Sequence, residues 1–317
     1  MIRAFVKLEG SYRPMQVEVE ELAAMDISTL LWLDLLSPTP EVLSSVEQAL
    51  KLELPTREES EEIEFSSRYW EDSAGIMINT SFLTRDEDAA SSETVSFIVK
   101  ENFIVTIRFT EIRTFTDFSR RLRLNSRAYR DGIDVLNGIL GLRVDMDADL
   151  LENLSKEIVS ASRHNLKSIA DRDSFLEYIT SFEDMNMTIR ENLVDKQRIL
   201  SSLMKSNRIS DHLKKELTMM IKDVNSLVIT ANFNFERLDF LQDLFLNHLS
   251  VEQNKVIKIF TVMSVIFLPP TLIASVYGMN FRYLPELDFP YGYPMALALI
   301  VISAILPIYI FKRKGWM

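Results

Sequence analysis

The chain has 317 residues, 47% of them hydrophobic, and a formal charge of −11. That length supports a sizeable core and more than one domain. It contains no cysteine, which excludes a disulfide framework and a thiolate metal site.

The charge is unevenly spread. From Lys255 onward there are six basic residues (Lys255, Lys258, Arg282, Lys312, Arg313, Lys314) and two acidic ones (Glu286, Asp288), a net of +4, which leaves −15 on residues 1–254. An acidic stretch of that size is a poor partner for nucleic acid, whose binding rests on Lys and Arg neutralising phosphates. It suits cations, although solubility and self-repulsion account for most of these carboxylates taken singly. The opening "MIRAFVKLEGSYRP" lacks the continuous apolar run of a secretory signal, so the bulk of the chain is expected to stay in the cytosol.

In chain order, "AFVKL", "MQVEV" and "LLWLDLL" read as strands. Thr39-Pro40 then marks a helix start with proline at the first helical position, and Thr56 precedes a second helical run, "REESEEIE". A hairpin is expected from "SSRYW" and "GIMINTSFL" turning at "EDSA", and another from "TVSFIVK" and "NFIVTIR" joined at Glu101 and Asn102. Strands interleaved with helices predict a sheet with helices against it, an αβα sandwich-like domain over residues 1–130.

From about Phe115 the strand signals stop. Two stretches, 145–166 and 175–204, place apolar residues at three- and four-residue spacing with no Gly or Pro. A third helix is expected from Ser210, an incomplete cap, and nothing breaks it before Pro269. At 1.5 Å per residue it would extend about 90 Å, and a helix that long needs neighbours, so oligomerisation is expected. Residues 131–254 thus read as a helical region ending in a stalk.

Residues 259–281 and 289–311 are each uncharged for 23 residues, long enough to cross a bilayer core. The expected layout is a first span at about 256–279, an outer loop at about 280–290, a second span at about 291–311 and a basic tail at 312–317. Lys312, Arg313 and Lys314 follow the second span, and Lys255 and Lys258 precede the first. The positive-inside rule therefore puts both ends in the cytoplasm. The fold class is then an α+β membrane protein: a cytosolic α/β domain, a long stalk helix, and two C-terminal spans in the plasma or inner membrane.

On a helical wheel Asn254, Thr261, Ser264, Thr271 and Ser275 fall on one arc of the first span. A single hydroxyl in a membrane helix bonds back to its own backbone or joins two helices. Five polar residues on one arc favour a face lining water or a tightly packed contact. Pro269 and Pro270 lack N–H groups, so carbonyls near Val265 and Ile266 lose partners, which is tolerated at that depth only if protein or a water-filled cavity satisfies them.

The span closes on Gly278, Met279 and Asn280, within "YGMNF", and is followed by "LPEL", "YGYP" and a final "KGWM". In these motifs the sequence resembles the CorA magnesium-transporter family, densely from about Val251 to the end. The first leucine of "LPEL" stands where that family commonly has methionine. The resemblance implies a non-enzymatic, channel-like Mg2+ transporter, a homopentamer in the lipid bilayer, that also passes Co2+ and Ni2+. It implies a path lined by Asn254, Thr261, Ser264, Leu268, Thr271 and Ser275, and an outer filter of Gly278, Met279 and Asn280. Glu286 and Asp288 stand in the outer loop. Mg2+ prefers octahedral oxygen and dehydrates reluctantly, so neutral acceptors can recognise it with its water attached. The family also carries intracellular regulatory Mg2+ sites, for which Asp86 and Asp88 in "TRDEDAA", with Glu87 between them, and Asp223 on the stalk are candidates. A solvated loop is the plainer reading of the first three.

His164, His212 and His248 have no ligand spacing and read as solvated. No G-x-x-x-x-G-K-[ST] loop is present, so ATP-driven pumping is not supported. Two rivals stay open. One is a transporter of the same architecture for another divalent metal such as zinc. The other is a membrane-anchored oligomeric sensor or scaffold, against which a polar face argues, because a tether needs none.

Overall fold

The computed structural model describes all residues except 9–10, 63–67, 74, 87–88, 165–171, 281, 283–284, 288 and 316–317. The chain divides into two compact units, Met1–Gln242 and Asp243–Met317.

The first unit is built on seven strands: β1 (Ile2–Leu8), β2 (Ser11–Gln16), β3 (Leu30–Leu36), β4 (Tyr69–Glu71), β5 (Ile76–Asp86), β6 (Ala89–Val99) and β7 (Ile104–Arg108). They form one sheet in the order β2-β1-β3-β7-β6-β5-β4. Every neighbouring pair is antiparallel except β3 and β7, where Trp32 lies beside Ile104 in parallel register. The β6–β7 hairpin turns at Glu101 and Asn102, closed by the Lys100 N–H donating to the Phe103 carbonyl at 2.9 Å. The β4–β5 turn is closed by the Asp72 N–H on the Gly75 carbonyl at 3.1 Å.

Alternation along the strands assigns the two faces. Ala4, Leu33, Leu35, Val105 and Ile107 pack in one cluster with Leu22 of α1 (Val19–Ala24) and Val46 and Leu50 of α2 (Pro40–Leu50). The short α3 (Arg57–Ser60) starts on Thr56, whose side chain accepts from the Glu59 N–H while the Glu59 carboxylate accepts from the Thr56 N–H. The opposite face is aromatic. Phe5 stacks on Trp32 with ring centroids 4.3 Å apart, and Trp32 meets Phe118 of α4 (Arg113–Leu124) edge-on at 5.6 Å. Phe82 and Phe97 meet Phe115 of the same helix at 5.7 and 6.3 Å. Beside α4, α5 (Gly132–His164) and α6 (Arg172–Lys205) bond directly to β5, so the sheet is sandwiched between helical layers as the interleaved pattern predicts.

Charge is buried on this second face and is paired there. Asp34, 1% exposed, accepts from Arg108 Nε at 3.0 Å and Nη2 at 2.8 Å, and from the Thr106 hydroxyl at 2.9 Å. The Trp32 indole N–H in turn donates to Thr106 at 2.9 Å. A second network joins the helices to β5. Arg143 and Lys196 both pair with Asp147, while Arg143 donates to the Leu83 carbonyl at 3.0 Å and Lys196 to that of Ser81 at 2.8 Å. Burial holds the Lys196 ammonium below the ordinary lysine range, and the nearby Asp147 opposes that shift.

The last long helix, α7 (Asp211–Tyr277), begins where Ser210 caps it: the Leu213 N–H reaches the Ser210 hydroxyl at 3.4 Å. Within the first unit, polar pairs fasten α7 to its neighbours. Asn186 donates to the Ala231 carbonyl at 2.9 Å and Asn234 to the Ser155 hydroxyl at 3.0 Å. Because α5 and α6 also bond to β5, the helical region and the sheet make one compact unit.

Two local readings of the sequence differ from the structure. "MQVEV" is not a strand: β2 ends at Gln16, Val17 is buried, and α1 starts at Val19, where the Glu21 carboxylate accepts from the Glu18 N–H at 3.2 Å. The apolar alternation of this stretch is shared between a strand end and a helix start, and local capping decides. Asp86 is not in a loop but closes β5 opposite Ala89, the last pair of the β5–β6 register. Glu87 and Asp88, like Ser66 and Ser67 of "SSRYW", lie outside the described residues.

Candidate membrane path

The second unit holds the end of α7 and α8 (Gly292–Arg313), both long and apolar enough to cross a bilayer. Side-chain exposure is inverted relative to a soluble domain. Ile257, Ile259, Phe260, Phe267 and Leu272 of α7 and Ile302, Ile305, Leu306 and Tyr309 of α8 are all exposed. One stripe on each helix is less exposed: Val262, Val265, Ile266, Pro269, Ile273 and Tyr277 on α7, and Ala296, Ile300, Ser303, Pro307 and Phe311 on α8. Both stripes recur at three- and four-residue spacing, the spacing by which one helix face shields another.

Asn254, Thr261, Ser264, Leu268, Thr271 and Ser275 are each exposed in the single chain, away from the shielded stripe. The Thr261 hydroxyl donates to the Ile257 carbonyl at 2.8 Å and the Thr271 hydroxyl to the Phe267 carbonyl at 2.7 Å. Two of the five polar groups thus bond back to their own helix, as isolated membrane hydroxyls do. Each still keeps acceptor lone pairs for water. The helix continues through Pro269 and Pro270 to Tyr277, so the carbonyls of Val265 and Ile266 lose their donors without the helix ending.

The helix closes at the expected place. The Gly278 N–H donates to the Ala274 carbonyl at 2.9 Å and the Met279 N–H to that of Val276 at 3.3 Å, after which Asn280 leaves the helix. A Cβ at Gly278 would lie 3.0 Å from the Ala274 carbonyl oxygen, a tight contact that a larger residue would have to relax. Gly278, Met279 and Asn280 are all exposed. The connection between α7 and α8 carries a short 3-10 turn, Pro285–Leu287, with Glu286 exposed; Asp288 lies outside the described residues. Gly292 of "YGYP" is one of only two buried positions among the described residues of this unit, and a Cβ there would come within 2.1 Å of the Glu286 carbonyl oxygen. That close approach folds the loop back on the start of α8.

Of the regulatory candidates, only Asp223 has a described side chain. No group of three or more His, Asp or Glu able to hold a metal occurs among the described residues. Asp223 lies on α7 in the first unit, in a cleft beside α4 and α5. Asp88 and the Asp86 side chain are outside what the structure describes. His212 stands exposed, 3.7 Å from Glu216, and His248 lies 3.7 Å from Glu252. Sequence reasoning passed over the cleft itself and the arginines that line it. The run "RRLRLNSRAYR" was the signal, a basic stretch inside an acidic domain.

A sandwich domain followed by a long helix with an apolar end and by a second apolar helix, both with apolar side chains turned outward, defines a membrane protein with an N-terminal α/β domain. The model of the CorA-like Mg2+ transporter protein family matches residues 28–313, and the chain belongs to that family. It is 43% identical over 295 residues to a magnesium transport protein CorA of Wolinella succinogenes, covering 92% of each chain. It is 42% identical over 299 residues to one of Campylobacter jejuni, covering 91% of each. The fold is that of the complete structure of the CorA magnesium transporter from Methanocaldococcus jannaschii, with a TM-score of 0.81 over 100% of this chain and 99% of that one at 20% identity.

Proposed function

We propose that this chain carries Mg2+ across a membrane through a path lined by the polar face of α7, with Gly278, Met279 and Asn280 at its outer mouth. The observation that carries the reading is the exposure of Thr261, Ser264, Thr271 and Ser275, in line with Asn254, on a stretch of α7, residues 259–277, whose other exposed side chains are apolar. Polar groups facing lipid are costly, so such a face belongs against water or another polar surface. The relatives at 42–43% identity, named magnesium transport proteins, supply the ion.

One helix cannot enclose a path, so several copies must surround it; the family resemblance makes that a homopentamer. The Asn280 carboxamide and the Gly278 carbonyl are neutral acceptors. They take hydrogen bonds from the water shell of Mg2+ without binding the ion too tightly to release it. The same chemistry admits other hydrated divalent ions of similar size, hence Co2+ and Ni2+. Lys255, Lys258, Lys312, Arg313 and Lys314 support cytoplasmic ends in an inner or plasma membrane, by the positive-inside rule. Closure by intracellular Mg2+ completes the reading, with Asp86, Asp88 and Asp223 as its candidate ligands.

The test is Mg2+ entry into liposomes containing a Mg2+-sensitive dye. Asn280→Ala should lower uptake to the level of protein-free liposomes while the assembled size in detergent stays that of the parent. Full uptake by a correctly assembled variant overturns the assignment of the filter.

A further inference from the structure

A cleft of about 1010 Å³ lies in the first unit between the end of α4, α5 and the first turns of α7, large enough for a ligand the size of a nucleotide. Its lining carries both signs of charge. Residues 113–130 contain six arginines and one acidic residue, Asp117, inside a region with a net charge of −15 over residues 1–254. Arg113 and Arg120 pair with Asp117, and Arg130 pairs with Asp134 at 3.1 Å. Arg121 and Arg127 line the cleft, are exposed, and have no ion-pair partner among the described residues. The same cleft is lined by Asp145 of α5 and by Glu216 and Asp223 of α7.

The floor between the walls is buried and polar at its tip. Tyr129 is 8% exposed, packs edge-on against Phe118 at 5.2 Å, and reaches the cleft with a hydroxyl that has no hydrogen-bond partner among the described residues. Burial raises its pKa; Arg121 works against that rise, and Glu216 and Asp134 add to it, so both signs of charge act on the same phenol. Asn137 donates to Glu216 at 2.5 Å, but its buried Oδ1 has no partner. Leu142 and the exposed Met219 add an apolar surface beside these groups.

A bare polyphosphate would meet the carboxylates, and a lone cation would meet the guanidinium groups. A phosphate chain already holding Mg2+ presents anionic oxygens on one side and a hydrated cation on the other. We propose that this cleft binds a magnesium-complexed nucleoside polyphosphate. Arg121 and Arg127 take the phosphate oxygens through charge-assisted hydrogen bonds. Asp145, Glu216 and Asp223 accept from the water shell of the metal. The Tyr129 hydroxyl and Leu142 with Met219 are left for the nucleoside.

The probe is MgATP, titrated by calorimetry into the full-length protein in detergent with free Mg2+ already saturating, so that sites for the ion alone are filled. Saturable binding is expected, with at least about tenfold weaker affinity for ATP in EDTA. The double substitution Arg121→Ala and Arg127→Ala should weaken MgATP by about tenfold or more, the loss of at least one charge-assisted contact. Both side chains are exposed, so the variant should keep the parent's circular dichroism spectrum. Absence of MgATP binding, equal binding of ATP without the metal, or an affinity untouched by the double substitution would each overturn the proposal. None of these readouts depends on transport.

Discussion

In Met1–Gln242 the largest fully shielded side chains include Arg108 and Lys196 beside Trp32, Phe5 and Phe118, whereas in Asp243–Met317 only Phe245 and Gly292 are buried among the described residues. One unit hides charge; the other displays isoleucine and phenylalanine. The two obey a single rule with different solvents. Water drives apolar area inward and lets a buried charge survive only when it is paired. A bilayer needs no such sorting of apolar groups, but it demands that every backbone and side-chain polar group be satisfied inside the protein or along water. What each unit turns outward therefore reports what surrounds it.

The largest effect should come from breaking a pair in the first unit. Asp34→Ala leaves Arg108 buried without its carboxylate, and unfolding of the sandwich should become easier by about 3–5 kcal/mol. Denaturant titration followed by Trp32 fluorescence measures this. A loss below about 1 kcal/mol would show that the pair contributes no more than an exposed one.

In the second unit the question is which exposed residues meet water. Single cysteines at Asn254, Thr261, Thr271 and Ser275 should react with a membrane-impermeant thiol reagent, and those at Val256 and Ile266 should not. The absence of native cysteine leaves no background. Equal labelling of all six positions would remove the distinction between a water-facing and a lipid-facing side of α7.

The smallest effect belongs to the loop. Glu286→Gln with Asp288→Asn should weaken apparent Mg2+ affinity by a small factor at low ionic strength, and added monovalent salt should erase the difference, because exposed charges are screened beyond about 8 Å at physiological salt. The maximal uptake rate should hold. A deficit that ignores salt would assign Glu286 a direct or structural role, as its backbone contact with Gly292 allows.

Much of this molecule was legible in one dimension. The strands of β3, β6 and β7, the proline-led start after Thr39, whose side chain makes no cap bond, the capped starts at Thr56 and Ser210, and both apolar runs follow from period, capping chemistry and run length. "MQVEV" was misread because its alternation suits a strand and a helix start equally, and only the pairing of β2 with β1 fixed where the strand stops. Asp34 and Arg108 gave no sign of each other across 74 positions; the parallel register of β3 and β7 brings them together. The cleft was only half legible: its arginines form one basic run near position 121, but Asp145, Glu216 and Asp223 are scattered along the chain and only the fold gathers them there.

The sequence by itself determined that the C-terminal quarter crosses a membrane and that one face of its first span is polar, since hydropathy and helical period are local properties that any fold must respect. It also determined the closing Gly278-Met279-Asn280, because a helix end needs only its own neighbours. The tertiary structure alone decided which strands neighbour one another, which charges are buried and paired, and which loop Gly292 must admit. These depend on contacts between residues far apart in the chain, where the energy of burial, not the spacing of residue types, selects the partner.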